Sequence, residues 1–174
     1  MGHVTLITGG SRSGKSAYAL TLAAADAALK RRYFIATAEA LDEEMRARIA
    51  HHRLSRPTSF VTVEAPTDLC GVIAELNQRA DIAVIDCITL WVSNLLGREY
   101  AEEAIFAEAA ALAVALKVAS FRIIVVSGEV GSGIVPDNPL ARRFRDLLGW
   151  TNQTIARAAD DLILMTAGYP LRLK

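Results

Sequence analysis

The sequence predicts an α/β protein with a mostly parallel central sheet and helices on both faces. Three observations carry this expectation. Strand-like runs alternate with helix-like segments along the chain. The runs IAVI (Ile82–Ile85) and IIVV (Ile123–Val126) are apolar throughout, as strands buried on both faces are. The first strand-like run, His3–Thr8, stops at Gly9-Gly10 just before an alanine-rich helical segment, so the chain opens as strand, glycine loop, helix.

Taken in order, that helical segment runs from Lys15 to Leu29, and Tyr33–Thr37 reads as a second buried strand. Leu41–Leu54 carries Leu41, Met45, Ile49 and His52 at helical spacing, and Pro57 ends it. Phe60–Glu64 alternates as a strand does, and Thr67–Gln78 reads as a helix capped by Thr67. Ile82–Asp86 is a strand closing on a carboxylate. Helices over Leu90–Leu96 and Ala101–Ala119 separate it from the strand Ile123–Ser127. After the second glycine-rich loop, Asn138-Pro139 is a cap followed by a first-turn proline, and its helix extends to Ala158. Asp161–Gly168 is the last major strand.

The chain has 174 residues, the size of one domain spanning 1–174, and shows no internal repeat, linker or low-complexity stretch. Hydrophobic residues make up 52% and mean hydropathy is +0.28, yet charges and glycines break every apolar run before the about 18 residues of a membrane span. The first residues, MGHVTLITGG, have neither a basic leader nor a small-residue cleavage site, so the expected location is cytoplasmic. A formal net charge of zero gives no overall field for nucleic acid, which is not an expected partner. Cys70 and Cys87 lack C-x-x-C spacing and are expected to be buried, reduced thiols.

In a parallel sheet, ligands bind beyond the carboxyl ends of the strands. That rule selects Gly9–Ser16, Thr37–Glu39, Glu64, Asp86 and the loop Ser127–Gly133. Gly9–Ser16, GGSRSGKS, satisfies G-x-x-x-x-G-K-[ST], the phosphate-binding loop. Its glycines let backbone N–H groups turn inward on phosphate oxygens, and the helix that starts near Lys15 adds its positive end. Lys15 then reaches the β- and γ-phosphates, and the Ser16 hydroxyl ligates Mg²⁺. Asp86 suits the second magnesium carboxylate, or else a cap for the following helix. Glu129 either orients an acceptor hydroxyl or only lines its loop. A small-molecule kinase is the leading class; a kinase of some other small alcohol and a GTP-dependent switch are the alternatives.

Two of the three histidines, His51 and His52, are adjacent in RIAHHRLSRP. On a helix they point about 100° apart, which argues against one shared metal ion. Two readings stay open: a solvated basic helix face, or a neutral imidazole nucleophile toward phosphorus, with nearby arginines neutralising the phosphates.

LITGGSRSGKS, FIATAEALDEEMRARIAHHRLSRP, VIDCITLWVSNLL and EVGSGIVPDNPLARRFRDLLGWTNQTIA, in this order and over nearly the whole chain, resemble the bifunctional adenosylcobinamide kinase/adenosylcobinamide-phosphate guanylyltransferases of cobalamin synthesis. Phe60 and Asp86 stand where some members carry tryptophan and glutamate. The resemblance implies a RecA-like P-loop NTPase fold and a trimer of such subunits. It implies phosphorylation of adenosylcobinamide by ATP or GTP, then transfer of GMP from GTP through a guanylylated His51. The implied nucleotide contacts are Gly9, Gly10, Ser11, Arg12, Ser13, Gly14, Lys15 and Ser16, with Thr37, Ala38, Glu39, Leu54, Ser55, Arg56, Pro57, Glu64 and Asp86.

Overall fold

The computed structural model describes residues 2–40, 42–54 and 57–174; the side chains of Arg48, His51, His52 and Leu54 lie outside that description. The strands are β1 (Val4–Gly9), β2 (Arg32–Ala36), β3 (Phe60–Glu64), β4 (Ile82–Asp86), β5 (Arg122–Val126), β6 (Asp161–Thr166) and β7 (Tyr169–Arg172). The helices are α1 (Lys15–Ala25), α2 (Glu43–Leu54), α3 (Leu69–Leu76), α4 (Ile88–Gly97), α5 (Glu102–Val118) and α6 (Pro139–Ala158).

Among the described residues the seven strands form one sheet in the order β3-β2-β4-β5-β1-β6-β7. All neighbours pair in parallel except β6 with β7. Alternate strand residues go to opposite faces, and each face has its own apolar layer. Leu6, Ile35, Ile85, Ile123 and Val125 pack with buried side chains of α3, α4, α5 and α6. Ile7, Phe34, Val84, Ile124 and Val126 pack with Ala19 and Ala23 of α1. The small alanines on α1 let that helix lie close on the strands, which fixes the loop at its start against the end of β1.

Register decides what meets at the carboxyl edge. Glu64 pairs with Ala36, Ala36 with Asp86, Asp86 with Val126 and Val126 with Ile7. The last residues of β3, β2, β4 and β5 therefore stand in one row. One strand, β5, separates β1 from β4, so the phosphate loop and Asp86 are not on neighbouring strands.

Several boundaries differ from the sequence expectation for local reasons. Helix α1 ends at Ala25, not Leu29, because the Asp26 carboxylate accepts the Ala28 N–H at 3.0 Å and pairs with Arg122 at 3.3 Å. An aspartate that bonds its own backbone two residues on turns the chain out of the helix. Helix α3 is capped by Asp68, whose Oδ1 accepts the Gly71 N–H at 2.8 Å, while the expected cap Thr67 accepts Arg98 instead. Asn138 caps α6 as expected, accepting the Ala141 N–H at 3.1 Å with Pro139 in the first turn. The run from Asp161 does not continue to Gly168: Ala167 and Gly168 both take positive φ, and the chain folds back as the exposed edge strand β7. Cys70 and Cys87 are free thiols, half-buried instead of fully buried. The expected helix start at Leu41 lies outside the described residues.

No helix among the described residues is long and apolar enough to cross a membrane.

Candidate nucleotide site

A cavity of about 1220 Å³ opens over the carboxyl edge of the sheet. Its floor is the phosphate loop, residues Ser11–Ser16, with Asp86 at the end of β4 and Glu64 at the end of β3. Ala38 and Glu39 after β2, Glu129 after β5 and one side of α2 form its walls. The volume, somewhat above the about 300–1,000 Å³ of most small-molecule sites, suits a ligand of nucleotide size.

The loop takes its shape from a few positions. Gly9 has φ +147, and a Cβ there would lie 2.5 Å from the Met165 carbonyl oxygen and 2.8 Å from Ser13 Oγ, so only glycine fits between β6 and the loop. Gly14, at φ 95, is the left-handed cap from which α1 begins. The β6–β7 turn braces the loop, since the Gly168 N–H donates to the Ser13 carbonyl at 3.1 Å. Lys15 Nζ donates to the Gly10 carbonyl at 2.6 Å and to Ser13 Oγ at 3.4 Å, so its ammonium lies over the concave side of the loop. A glycine-rich turn, a helix start and one ammonium are the parts of an anion cradle.

The carboxylates around the cavity differ in their partners. Glu39 is ion-paired with Arg98 at 2.8 Å, and Glu64 with Arg53 of α2. Asp86 shares the cavity with the Ser16 hydroxyl. A hydroxyl and a carboxylate are hard oxygen donors of the sort magnesium takes while keeping phosphate and water ligands, so the residues present fit that ion. No group of three or more His, Cys, Asp or Glu among the described residues could form an all-protein metal cage. Burial, and after it the Asp86 carboxylate, pushes the Cys87 thiol up to about 11, which makes it a neutral lining group and not a nucleophile.

The structure thus brings Ser11–Ser16, Ala38, Glu39, Glu64 and Asp86 to one cavity, and places other expected contacts elsewhere. Thr37 is fully buried and does not line the cavity; its hydroxyl is spent on the main chain of Cys87. Gly9 shapes the loop where it meets β6, while Gly10 and Pro57 are exposed, and none of the three lines the cavity. Ser55 and Arg56 lie outside the described residues, as do the side chains of His51 and Leu54. The sequence reading missed the cavity side of α2: Arg46, Ile49, Ala50 and Arg53 line the wall. Their i, i+3, i+4, i+7 spacing was the available signal. The His51 backbone follows Ala50 directly in that helix.

The family model described as CobU, cobinamide kinase / cobinamide phosphate guanyltransferase, matches residues 5–173. The chain is 38% identical to the bifunctional adenosylcobalamin biosynthesis protein CobU of Escherichia coli, with 97% of this chain and 98% of that protein covered. It is 41% identical to the Salmonella typhimurium protein of the same name, over 97% and 98% of the two chains. Identity is also 41% to the bifunctional adenosylcobalamin biosynthesis protein CobP of Pseudomonas aeruginosa, over 97% and 96%. Among solved structures, a KaiC-like protein from Pyrococcus horikoshii superposes with a TM-score of 0.54 at 17% identity, covering 93% of this chain and 70% of that one. That likeness is one of fold, and with the phosphate loop it makes this an α/β fold of the P-loop NTPase type. With its phosphate loop, carboxylate row and full-length match, the chain belongs to the cobinamide kinase / cobinamide phosphate guanyltransferase family.

Proposed function

We propose that this protein phosphorylates adenosylcobinamide with ATP or GTP and then transfers GMP from GTP to the resulting phosphate, giving adenosylcobinamide-GDP and pyrophosphate. The observation that carries this reading is that the phosphate loop and the α2 wall line the same cavity, in a chain matched by the family model from residue 5 to 173. The whole chain, 1–174, acts as one nucleotide-binding domain.

For the first reaction, the loop amides and Lys15 hold the triphosphate and stabilise charge that builds on the leaving oxygens. Ser16 and Asp86 would hold Mg²⁺, which supplies further charge neutralisation at the β- and γ-phosphates. The acceptor hydroxyl attacks the γ-phosphorus and a nucleoside diphosphate leaves.

For the second reaction, His51 is the nucleophile. Its imidazole attacks the α-phosphorus of GTP, the bond to the bridging oxygen breaks, and pyrophosphate leaves. The phosphate of adenosylcobinamide-phosphate then attacks the guanylylated nitrogen's phosphorus and frees His51. Dividing the transfer in two lets one compact site take two bulky substrates in turn. Arg46 and Arg53, which line the cavity from α2, support the nucleotide reading, because each guanidinium can exchange its carboxylate partner, Glu43 or Glu64, for a phosphate. Leu54, Ser55, Arg56 and Pro57 belong to the proposed nucleotide contacts.

The reading includes a homotrimer in the cytoplasm. Ile134, Val135, Leu140 and Trp150, all exposed apolar side chains, support contact between copies. Purified protein given adenosylcobinamide and GTP is expected to form adenosylcobinamide-phosphate and then adenosylcobinamide-GDP, resolved by chromatography. Formation of neither product, with nucleotide bound, overturns the assignment.

A further inference from the structure

We propose that Glu129 is the base that takes the acceptor's proton in the phosphoryl transfer, a role that rests on the kinase reading above. Strand β5 runs between β1, which delivers the phosphate loop, and β4, which delivers Asp86. Glu129 leaves the carboxyl end of that middle strand and lines the same cavity as Lys15 and Asp86. It is therefore sited between the group that holds the β- and γ-phosphates and the carboxylate suited to magnesium.

Its backbone is tied to the phosphate loop itself. The Glu129 N–H donates to the Gly9 carbonyl at 2.9 Å, and the Ser127 N–H to the Ile7 carbonyl at 2.9 Å. Between them, the Gly128 N–H donates to Thr89 Oγ1 at 2.6 Å and the Gly128 carbonyl accepts Asn152 Nδ2 at 3.0 Å. These bonds fix the distance from the start of the Glu129 side chain to the loop that positions the electrophile, as a base that must meet a reacting hydroxyl requires.

The side chain is also the carboxylate left for this work. Glu39 and Glu64 are held by Arg98 and Arg53, and Asp86 suits the metal. Among the described residues no cation pairs with Glu129. One of its oxygens accepts the Gly131 N–H at 2.6 Å, which orients the carboxylate while leaving lone pairs for a hydroxyl donor. In the step, the acceptor oxygen bonds to the γ-phosphorus and the bond from that phosphorus to the β,γ-bridging oxygen breaks. The nucleoside diphosphate departs with the electron pair, and the hydroxyl proton passes to Glu129 and on to water.

Glu129→Gln tests this, because the amide oxygen can still accept the Gly131 N–H while the proton acceptor is lost. The expected result is a kcat for cobinamide phosphorylation lower by about 100-fold or more, the usual size of general-base effects. The KM for nucleotide should stay within about 3-fold, since binding is not the function removed. Hydrolysis of GTP without corrinoid, with water as acceptor, is measured on both proteins and should fall likewise. That second assay separates the two claims: a wild-type protein that hydrolyses GTP but phosphorylates no cobinamide disproves the substrate, and the variant's hydrolysis rate still judges Glu129. An unchanged rate in the variant, or a loss accounted for by a raised nucleotide KM, overturns the proposal.

Discussion

The Thr37 hydroxyl closes a two-way bond with the main chain of Cys87, donating to its carbonyl at 2.8 Å and accepting its N–H at 2.7 Å. This joins the end of β2 to the residue after Asp86, and Asn94 Nδ2 adds a bond to the Thr37 carbonyl at 2.8 Å. Thr37→Val keeps the shape but leaves the Cys87 N–H without its partner, while the Cys87 carbonyl keeps the Trp91 N–H at 3.1 Å, so the loss is expected to cost about 1–3 kcal/mol of stability. Urea denaturation measures it. A cost near zero would show that the bond does not hold the β4 end.

The loop glycine predicts a steric effect. Gly9→Ala drives a Cβ against the Met165 carbonyl and Ser13 Oγ at a φ that L side chains rarely adopt. Nucleotide affinity should fall at least tenfold, or about 1.4 kcal/mol, by titration calorimetry. Wild-type affinity in this variant would mean that the loop accommodates the methyl group.

Lys15→Ala should damage both phosphorylation and guanylyl transfer, because the same cradle serves both. Charge stabilisation of this kind is worth about 3 kcal/mol, so each rate should drop by several tens-fold or more. Steady-state assays of the two reactions on one preparation decide it. Loss of only one activity would place the two triphosphates in different seats.

At the opposite end of the sheet, a second pair sets the acid response. The Arg31 guanidinium, bonded to Asp81 at 2.6 and 3.0 Å, together with the N–H groups of Arg31 and Lys30, holds the Asp81 carboxyl down to about 2. The folded state therefore favours the ionised form, and the unfolded chain binds the proton more readily. Its stabilisation is complete above the ordinary carboxylate range near 3.8 and is lost as pH falls through about 2. In urea titrations, Asp81→Asn should be less stable than wild type near neutral pH, with the gap closing over that acid window. A gap independent of pH would contradict the assignment.

How far the sequence reached depends on the range of each signal. The phosphate loop was legible because its meaning is local: Gly9–Ser16 follows a strand and opens a helix. Glu39, Glu64 and Asp86 were legible because parallel strands send their carboxyl ends to one edge, so strand ends alone gathered them. The bond of Thr37 to Cys87 was not legible because the two are 50 residues apart and only pairing of β2 with β4 brings them together. The α2 wall was only half legible: Met45 and Ile49 stand at helical spacing, but that spacing does not say that their side, with Arg46 and Arg53 beside it, faces a cavity and not the core. Strand β7 carries no burial pattern, since all four of its residues are exposed.

The most direct test of the account is covalent labelling. Wild-type protein incubated with GTP radiolabelled at the α-phosphate, then denatured, should retain an acid-labile, alkali-stable label, and His51→Ala should retain none while still phosphorylating adenosylcobinamide. A label that persists in His51→Ala, or a wild-type protein that forms product yet never carries label, contradicts the covalent route.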